Sequence, residues 1–322
     1  MDEAPLLPEI GFGTAPLAGF RTPVSEAEAA AAIEVALETG YRYFDTAPLY
    51  GYGLAERRLG RALAGREAGV RVSTKVGRLI DEQAPRPAGD LFAGDRGTAT
   101  FDFSADGVAR SLEASLRRMG RSYVDLVLIH DPDDHAAQAL GEAYPALEQL
   151  RAEGAVGAIG VGMNRSQLPT RFVTETDIDV VLIAGRYTLL ERQAQGELFG
   201  AATARGVHVV VGGVYNSGVL TGNPTTATFN YEPAPAAVLE RTERLRRACA
   251  EFGVPLAAAA AQFAARHPAV GTTLLGAASA TEATQNWDHL QRSLPEELWP
   301  ALEEAGRTTG ADGSLGRTAD EP

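Results

Sequence analysis

The sequence predicts an α/β fold, a (β/α)8 TIM barrel, as one domain over residues 1–322. Three observations carry this expectation. Short apolar, β-branched runs alternate with Ala-, Glu- and Arg-rich stretches of helical spacing. The runs number eight, the count that closes a barrel. No Pro-, Gly- or Ser-rich linker divides the middle of the chain, and 322 residues suit one barrel with insertions.

The elements follow in order. Strand I-G-F-G-T (10–14) precedes a helix over 25–39, and Y-R-Y-F-D (41–45) precedes one over 53–64. V-R-V-S-T (70–74) leads to 106–119, V-D-L-V-L-I (124–129) to 137–153, and V-G-A-I-G-V (156–161) to 165–174. I-D-V-V-L-I (178–183) leads to 191–205, V-H-V-V-V (207–211) to 236–252, and T-T-L-L-G (272–276) to 280–290. Pro255 suits the first position of an additional Ala-rich helix. Two longer irregular stretches, 76–105 and 212–235, both follow strands and therefore hang over the catalytic face. The polar tail from about 307 is expected to be loosely ordered.

Composition narrows the function. The net charge is −13, from 29 basic and 42 acidic residues, which disfavours nucleic acid or an anionic membrane as partner. No run of 18 apolar residues occurs, and the acidic start M-D-E-A-P-L-L-P-E has no apolar core of a signal peptide. Cys249 is the sole cysteine, so no disulfide within the chain or cysteine-based zinc site is expected, in keeping with a cytoplasmic enzyme. H-D-P-D-D-H (130–135) lacks metal-site spacing; Asp133 or Asp134 is expected to cap the next helix, and no metal is expected. No phosphate-loop or nucleophile-elbow motif is present. The sequence leaves the oligomeric state open.

Of the 29 basic residues, Lys75 alone is lysine. In a barrel, catalytic groups sit at the C-terminal ends of strands. Strand two ends in Asp45, strand three runs into Lys75, strand four into His130, and Tyr50 lies in the loop after Asp45. Each alone has a structural explanation: a loop cap, a surface cation, a packed histidine, a packed aromatic. Together on one rim they suit proton transfer coupled to hydride transfer. A phenol titrates near 10, and bringing it to about 7 needs roughly 4 kcal/mol. An ammonium at about 4 Å supplies on the order of 4 kcal/mol at an effective dielectric near 20. Lys75 is the expected source, held by Asp45, with His130 orienting the reacting oxygen. Arg, a planar fork that does not titrate, would not replace it.

Y-F-D-T-A-P-L-Y-G-Y-G-L-A-E-R-R-L-G-R-A-L, S-T-K-V-G and L-I-H resemble the aldo-keto reductase signature. The resemblance implies Asp45, Tyr50, Lys75 and His130 as the catalytic tetrad, and an extended nicotinamide dinucleotide bound without a Rossmann domain. G-F-G-T-A-P-L-A-G, A-G-R-Y-T-L-L and V-G-G-V-Y-N-S-G-V-L resemble the D-threo-aldose (L-fucose) 1-dehydrogenase branch, with pyridoxal 4-dehydrogenase close by. By that resemblance Gly13, Thr14 and Ala15 lie near the nicotinamide, with Asp45. Gly213, Asn216, Ser217, Gly218 and Leu220 hold the pyrophosphate. Gly276, Ala277, Glu282, Gln285 and Asn286 hold the adenosine. The family usually grips the carboxamide with an Asn, a Gln and a stacking aromatic. Here Asn164 is shifted one place, Ala184 replaces the Gln and Gly212 the aromatic, which leaves Tyr215 to stack.

NADP-selective members place an Arg where Glu282 stands, so NAD is favoured over NADP; Arg317 is the cation that would rescue NADP if the tail folded back. The favoured reaction is oxidation of an L-fucose-like aldose at C1 to its lactone. Besides Tyr50 and His130, Phe101, Phe103 and Arg186 are the expected substrate contacts, with Arg78, Asp95, Arg96 and Tyr187 nearby. The alternatives are reduction of aldehydes or ketones, oxidation of pyridoxal, and a non-catalytic cofactor-sensing subunit.

Overall fold

The computed structural model describes residues 6–222 and 227–307. Eight parallel strands close a barrel: β1 (Ile10–Gly13), β2 (Tyr43–Asp45), β3 (Arg71–Val76), β6 (Leu126–His130), β7 (Ala158–Met163), β8 (Val180–Ala184), β9 (His208–Gly212) and β12 (Val270–Gly276). β1 pairs with both β2 and β12, which closes the ring. The remaining strands lie in the two stretches expected to be irregular. β4 (Arg78–Pro85) and β5 (Arg96–Phe101) form an antiparallel hairpin, and β10 (Thr228–Phe229) and β11 (Glu232–Pro233) a short ribbon. Their polar, half-exposed residues and Pro- and Gly-containing turns give no apolar run, so sequence patterning does not mark them.

The helices are α1 (Glu26–Thr39), α2 (Leu54–Leu63), α3 (Ala105–Met119), α4 (Ala136–Gln138), α5 (Tyr144–Ala152), α6 (Gln167–Glu175), α7 (Glu197–Arg205), α8 (Ala236–Glu251), α9 (Leu256–Phe263), α10 (Ala280–Gln291) and α11 (Leu298–Gly306). Local chemistry sets their ends. Ser25 and Glu28 close a capping box on α1, and Ser104 and Ser279 cap α3 and α10. The expected 137–153 helix is divided by a π turn at Ala139–Ala143, and the expected 191–205 helix starts only at Glu197. Neither Asp133 nor Asp134 caps the next turn: it begins after Pro132 without a side-chain bond, and Asp133 lies 3.6 Å from Arg165 instead. The unexpected α11 places Leu298, Trp299 and Leu302 against Leu245 and Cys249. The expected disorder of the tail falls almost wholly outside the described residues, as does Arg317. Among the described residues no single helix is long and apolar enough to cross a membrane.

Strand parity positions the site. Along β6, Leu126 and Leu128 pack inside the barrel while Val127 and Ile129 face the helices, so His130 has inward parity. Tyr43 packs inside and Phe44 outside, which turns Asp45 inward. Val72 and Val76 face outward, so Lys75 also points in. On the same parity, the last inward positions of the other strands are Gly13, Gly162, Ala184, Gly212 and Gly276. One side of the barrel mouth therefore carries reactive groups and the other almost no side chain. Outside, Glu56 from α2 accepts from Thr74 at 2.7 Å and Arg118 at 2.6 Å, tying β3 to α2 and α3.

Candidate active site

Three of the four tetrad side chains meet on one atom. Lys75 Nζ donates to Asp45 Oδ2 at 2.7 Å and Oδ1 at 2.9 Å, to the Thr46 carbonyl at 2.9 Å and to Tyr50 Oη at 3.0 Å. An ammonium has three N–H donors, so these three groups saturate it. Asp45 Oδ1 also accepts from Ser73 Oγ at 2.8 Å, and that hydroxyl meets Tyr43 Oη at 2.9 Å. The Asp45 and Lys75 side chains are each 2% exposed. Tyr50 stands in the turn after β2, its ring centroid 4.7 Å from Nζ. The His130 ring meets it edge-on at 6.0 Å between centroids.

The electrostatics differ from the sequence-based expectation. Burial pushes the Tyr50 phenol well above its ordinary value, and the charges of Asp45, Tyr231 and Asp131 add to this, while Arg78 opposes. The sequence-based reading has Asp45 hold Lys75 but counts only the lysine's charge at Tyr50. With Asp45 at 2.7 Å it is half of an ion pair, and its field at Tyr50 is largely cancelled. Tyr50 therefore rests as a neutral phenol. His130 is held well below its ordinary range by burial, then by Lys75 and Arg78, so its imidazole is neutral.

From Tyr50 a cleft of about 840 Å³ runs to Asn286, within the usual size of a small-molecule or cofactor site. Its lining includes Gly13, Ala15, Asp45, Gly213, Ser217, Gly218, Gly276, Glu282, Gln285 and Asn286, all expected from the sequence. Leu182, Ala184, Gly212 and Leu274 form an apolar floor, with Ala184 and Gly212 at the positions where the family usually has a Gln and an aromatic. A Cβ on Gly212 would stand 3.7–4.0 Å from its three neighbours there, so the floor is a shallow bay that any larger side chain would fill. Gly213, at φ +62°, passes so close to Gly185 that a Cβ would lie 2.9 Å from its backbone nitrogen. Thr14 Oγ1 is buried with no hydrogen-bond partner among the described residues, between two cleft-lining neighbours. A long cleft with glycine walls, where added side chains would fill the space, fits an extended dinucleotide.

Several expected contacts are placed elsewhere. The side chains of Thr14, Asn216, Leu220 and Ala277 are buried and do not line the cleft. Asn216 bonds Thr188 and the Gly185 carbonyl, and Leu220 packs with Leu245 and Trp299; both shape the loop from behind. Asn164 is exposed outside the cleft, its carbonyl taken by Arg186, whose other end reaches Asn230 at 3.3 Å. Tyr215, by contrast, does line the cleft, and its hydroxyl donates to Asn286 Oδ1 at 2.8 Å, which fixes the ring in place. Phe103 is fully buried against Gly77, where any Cβ would collide with its ring, so it cannot meet substrate. Tyr187 is buried against Phe199 and Phe263. Asp95 and Arg96 stay exposed on the hairpin, and Phe101, 45% exposed, lies under Arg78.

A roof not foreseen from the sequence covers the reactive end. Phe20 stacks with Phe92 at 5.4 Å and Tyr231 at 5.6 Å, and Phe92 lies 6.1 Å from Tyr50. Arg21 N donates to the Leu91 carbonyl and Ala93 N to that of Gly19, both at 2.8 Å, while Arg21 Nη2 donates to the Tyr231 carbonyl at 2.9 Å. The only hint in the sequence is that Phe20, Phe92 and Tyr231 all lie in segments following strands. Asp131, directly after His130, is equally accessible to the strand-end rule.

Comparison with known proteins agrees with this geometry. A family model described as "Aldo/keto reductase family" matches residues 9–307. The chain is 40% identical to a pyridoxal 4-dehydrogenase of Microbacterium luteolum, over 92% of this chain and 93% of that one. It is 38% identical to a D-threo-aldose 1-dehydrogenase of a Pseudomonas species, over 93% and 94%. Among solved structures, the holo form of an aldo-keto reductase from Bacillus halodurans superposes with a TM-score of 0.75 at 25% identity, covering 93% of this chain and 92% of that one. The chain therefore belongs to the aldo/keto reductase family of nicotinamide-dependent oxidoreductases.

Proposed function

We propose that the protein oxidises the anomeric carbon of an aldose of the L-fucose type to the aldonolactone, with NAD as hydride acceptor. The observation that carries this reading is the joint placement of Tyr50, Lys75, Asp45 and His130 at one end of a dinucleotide-sized cleft. A bound nicotinamide dinucleotide supplies the hydride acceptor and, when oxidised, a ring cation. The remaining work falls to side chains. Tyr50 Oη exchanges the proton of the anomeric hydroxyl, Lys75 holds Tyr50 Oη at 3.0 Å, and Asp45 fixes Lys75. Neutral His130 is suited to donate a hydrogen bond to the substrate oxygen. A cyclic hemiacetal needs no water, since loss of its C1 hydrogen as hydride and of the hydroxyl proton leaves the lactone.

Pyridoxal carries an aldehyde beside a hydroxymethyl group and also closes to a cyclic hemiacetal, so it is the second substrate to test, favoured by the 40% identity to a pyridoxal 4-dehydrogenase. Reduction of simple aldehydes is the third, favoured by the protonated resting state of Tyr50.

Glu282 supports NAD. Its Oε2 accepts from Ala278 N at 2.7 Å at the start of α10, and it lines the cleft beside Gln285 and Asn286. A helix N-terminus attracts anions, and here the protein's own carboxylate occupies it, where a 2′-phosphate would meet like charge. The test is a screen of L-fucose, other aldoses, pyridoxal and propanal with both cofactors. Turnover of L-fucose or a stereochemical relative with NAD is expected. Turnover of pyridoxal or propanal alone would overturn the aldose assignment, and no turnover at all would favour a cofactor-sensing subunit.

A further inference from the structure

We infer that Asp131 and Arg78 form a hydroxyl-reading pair, which selects a neutral substrate bearing hydroxyls beside the reacting carbon over an unsubstituted aldehyde or an anionic sugar. The inference deepens the substrate class proposed above and rests on that reading of the same site.

Asp131 leaves β6 directly after His130 with φ +43°, in the left-handed region that most non-glycine residues avoid. Its amide donates to the Gly162 carbonyl at 3.1 Å, which pins the turn. The carboxylate is thereby set beside the reacting groups. Oδ2 lies 3.4 Å from His130 Nε2 and 3.4 Å from Arg78 Nη2, with the two side chains only 24% and 16% exposed. Arg78 is the first residue of β4, and its guanidinium lies 4.3 Å over the Phe101 ring, which fixes its plane.

The pair is loose where a purely structural one would be tight. Charge-assisted bonds close to about 2.7–2.9 Å, as Lys75–Asp45 does within the same barrel mouth. Both contacts of Asp131 fall on one oxygen, although a carboxylate has about four acceptor sites. Arg78 Nε is buried with no partner among the described residues. Acceptor capacity and donor capacity thus stand side by side, unspent, next to Tyr50 and His130. A hydroxyl both donates and accepts, so a vicinal diol satisfies the two groups together. A phosphate or carboxylate on the substrate would be repelled by Asp131, a cation by Arg78, and an alkyl chain would leave both unsatisfied.

The test compares reduction of glyceraldehyde and propanal, which share a three-carbon chain and differ in two hydroxyls. The parent protein should prefer glyceraldehyde by at least about thirtyfold in kcat/KM, and Asp131→Asn should cut that preference at least about tenfold, mainly through KM. Asn is nearly isosteric and tolerates the left-handed backbone. Arg78→Met, which keeps length over Phe101, should act in the same direction; because it lies on another element, a folding defect in one variant leaves the other readable. Glyceraldehyde 3-phosphate should be a poor substrate of the parent and a better one of Asp131→Asn. Equal losses on both aldehydes would make Asp131 a positioning residue for His130 and overturn the inference, as would a parent without any preference or without turnover of either. Should the preference collapse as expected while no aldose is oxidised, the pair stands and the aldose reading alone fails.

Discussion

On the floor of the cleft, Asp45, Lys75 and His130 stand at the ends of three neighbouring barrel strands, buried, with every donor of the ammonium spent. Above them, Phe20, Phe92 and Tyr231 come from three separate loops and hold one another by ring contacts of 5.4–5.6 Å and a few backbone bonds. The floor inherits its geometry from the barrel: strand order and inward parity would place those side chains even if the loops were rebuilt. The roof has no such inheritance. Chemistry is therefore written into the scaffold, while selectivity is left to segments that change without disturbing it.

If that contrast holds, damage to the floor should be severe and specific. Tyr50→Phe removes the proton carrier and should lower kcat by about 10³-fold or more. Lys75→Arg should cost a similar factor, because a planar fork cannot reach Asp45, the Thr46 carbonyl and Tyr50 from one atom. Steady-state rates decide this, and near-full activity in Lys75→Arg would mean that the lone lysine is incidental.

Asp45→Asn probes the ion pair itself. It strands a buried ammonium, so unfolding free energy should drop by about 3–5 kcal/mol in a denaturant titration. The pH profile carries the second readout. With Tyr50 raised by burial and Asp45, oxidation draws on the ionised phenol and should climb as pH rises towards that raised value. Reduction draws on the neutral phenol and should stay flat through neutrality. His130 is neutral until well below its ordinary value, so neither direction should show a limb near 6.5. Without the Asp45 charge the phenol ionises more easily, and the rising limb of oxidation should move to lower pH. An unmoved limb would mean that Lys75, not the pair, governs Tyr50.

The same contrast explains how far the sequence can be read. Eight apolar runs mark the barrel because its strands are buried on both faces, and the tetrad is legible because strand ends are the one place in this fold where position follows from pattern. Asp131 and the inward parity of the glycine-ended strands lie within reach of that rule. Phe20 and Tyr231 do not, since a loop residue is placed by contacts with other loops that leave no periodicity in either. Phe103 shows the converse error: a residue from a loop-like stretch that reads as a stacking aromatic is core, because Gly77 opens the space it fills. Tyr50 shows a third kind of loss. Its neighbours are legible, but its protonation depends on the cancelling of two charges, and that requires distances.

At the far end of the floor, Glu282→Arg should move the ratio of kcat/KM values for NADP and NAD towards NADP by about 10–100-fold, because a charge-assisted bond to the 2′-phosphate takes the place of a like-charge repulsion. It also removes the bond to Ala278 N, so about 1 kcal/mol of stability should go with it. An unchanged ratio would place the 2′-phosphate away from α10.

Arg21→Ala should have the smallest effect, and it tests the roof rather than the floor. Arg21 joins the β1–α1 loop to the ribbon segment through the Tyr231 carbonyl at 2.9 Å and Glu232 at 3.7 Å. The ion pair is open to solvent, with side chains 57% and 76% exposed, and pairs of this kind contribute about 0.2–1 kcal/mol that salt screens further. The backbone contacts of Phe20 and Phe92 survive the substitution. If the roof is a sum of weak, independent contacts, KM for the aldose should rise by at most about fivefold, with kcat unchanged and the effect fading at high salt. A tenfold or larger rise, or one that persists in high salt, would show that the three loops close as a single cooperative lid, and the distinction between an inherited floor and an assembled roof would not stand.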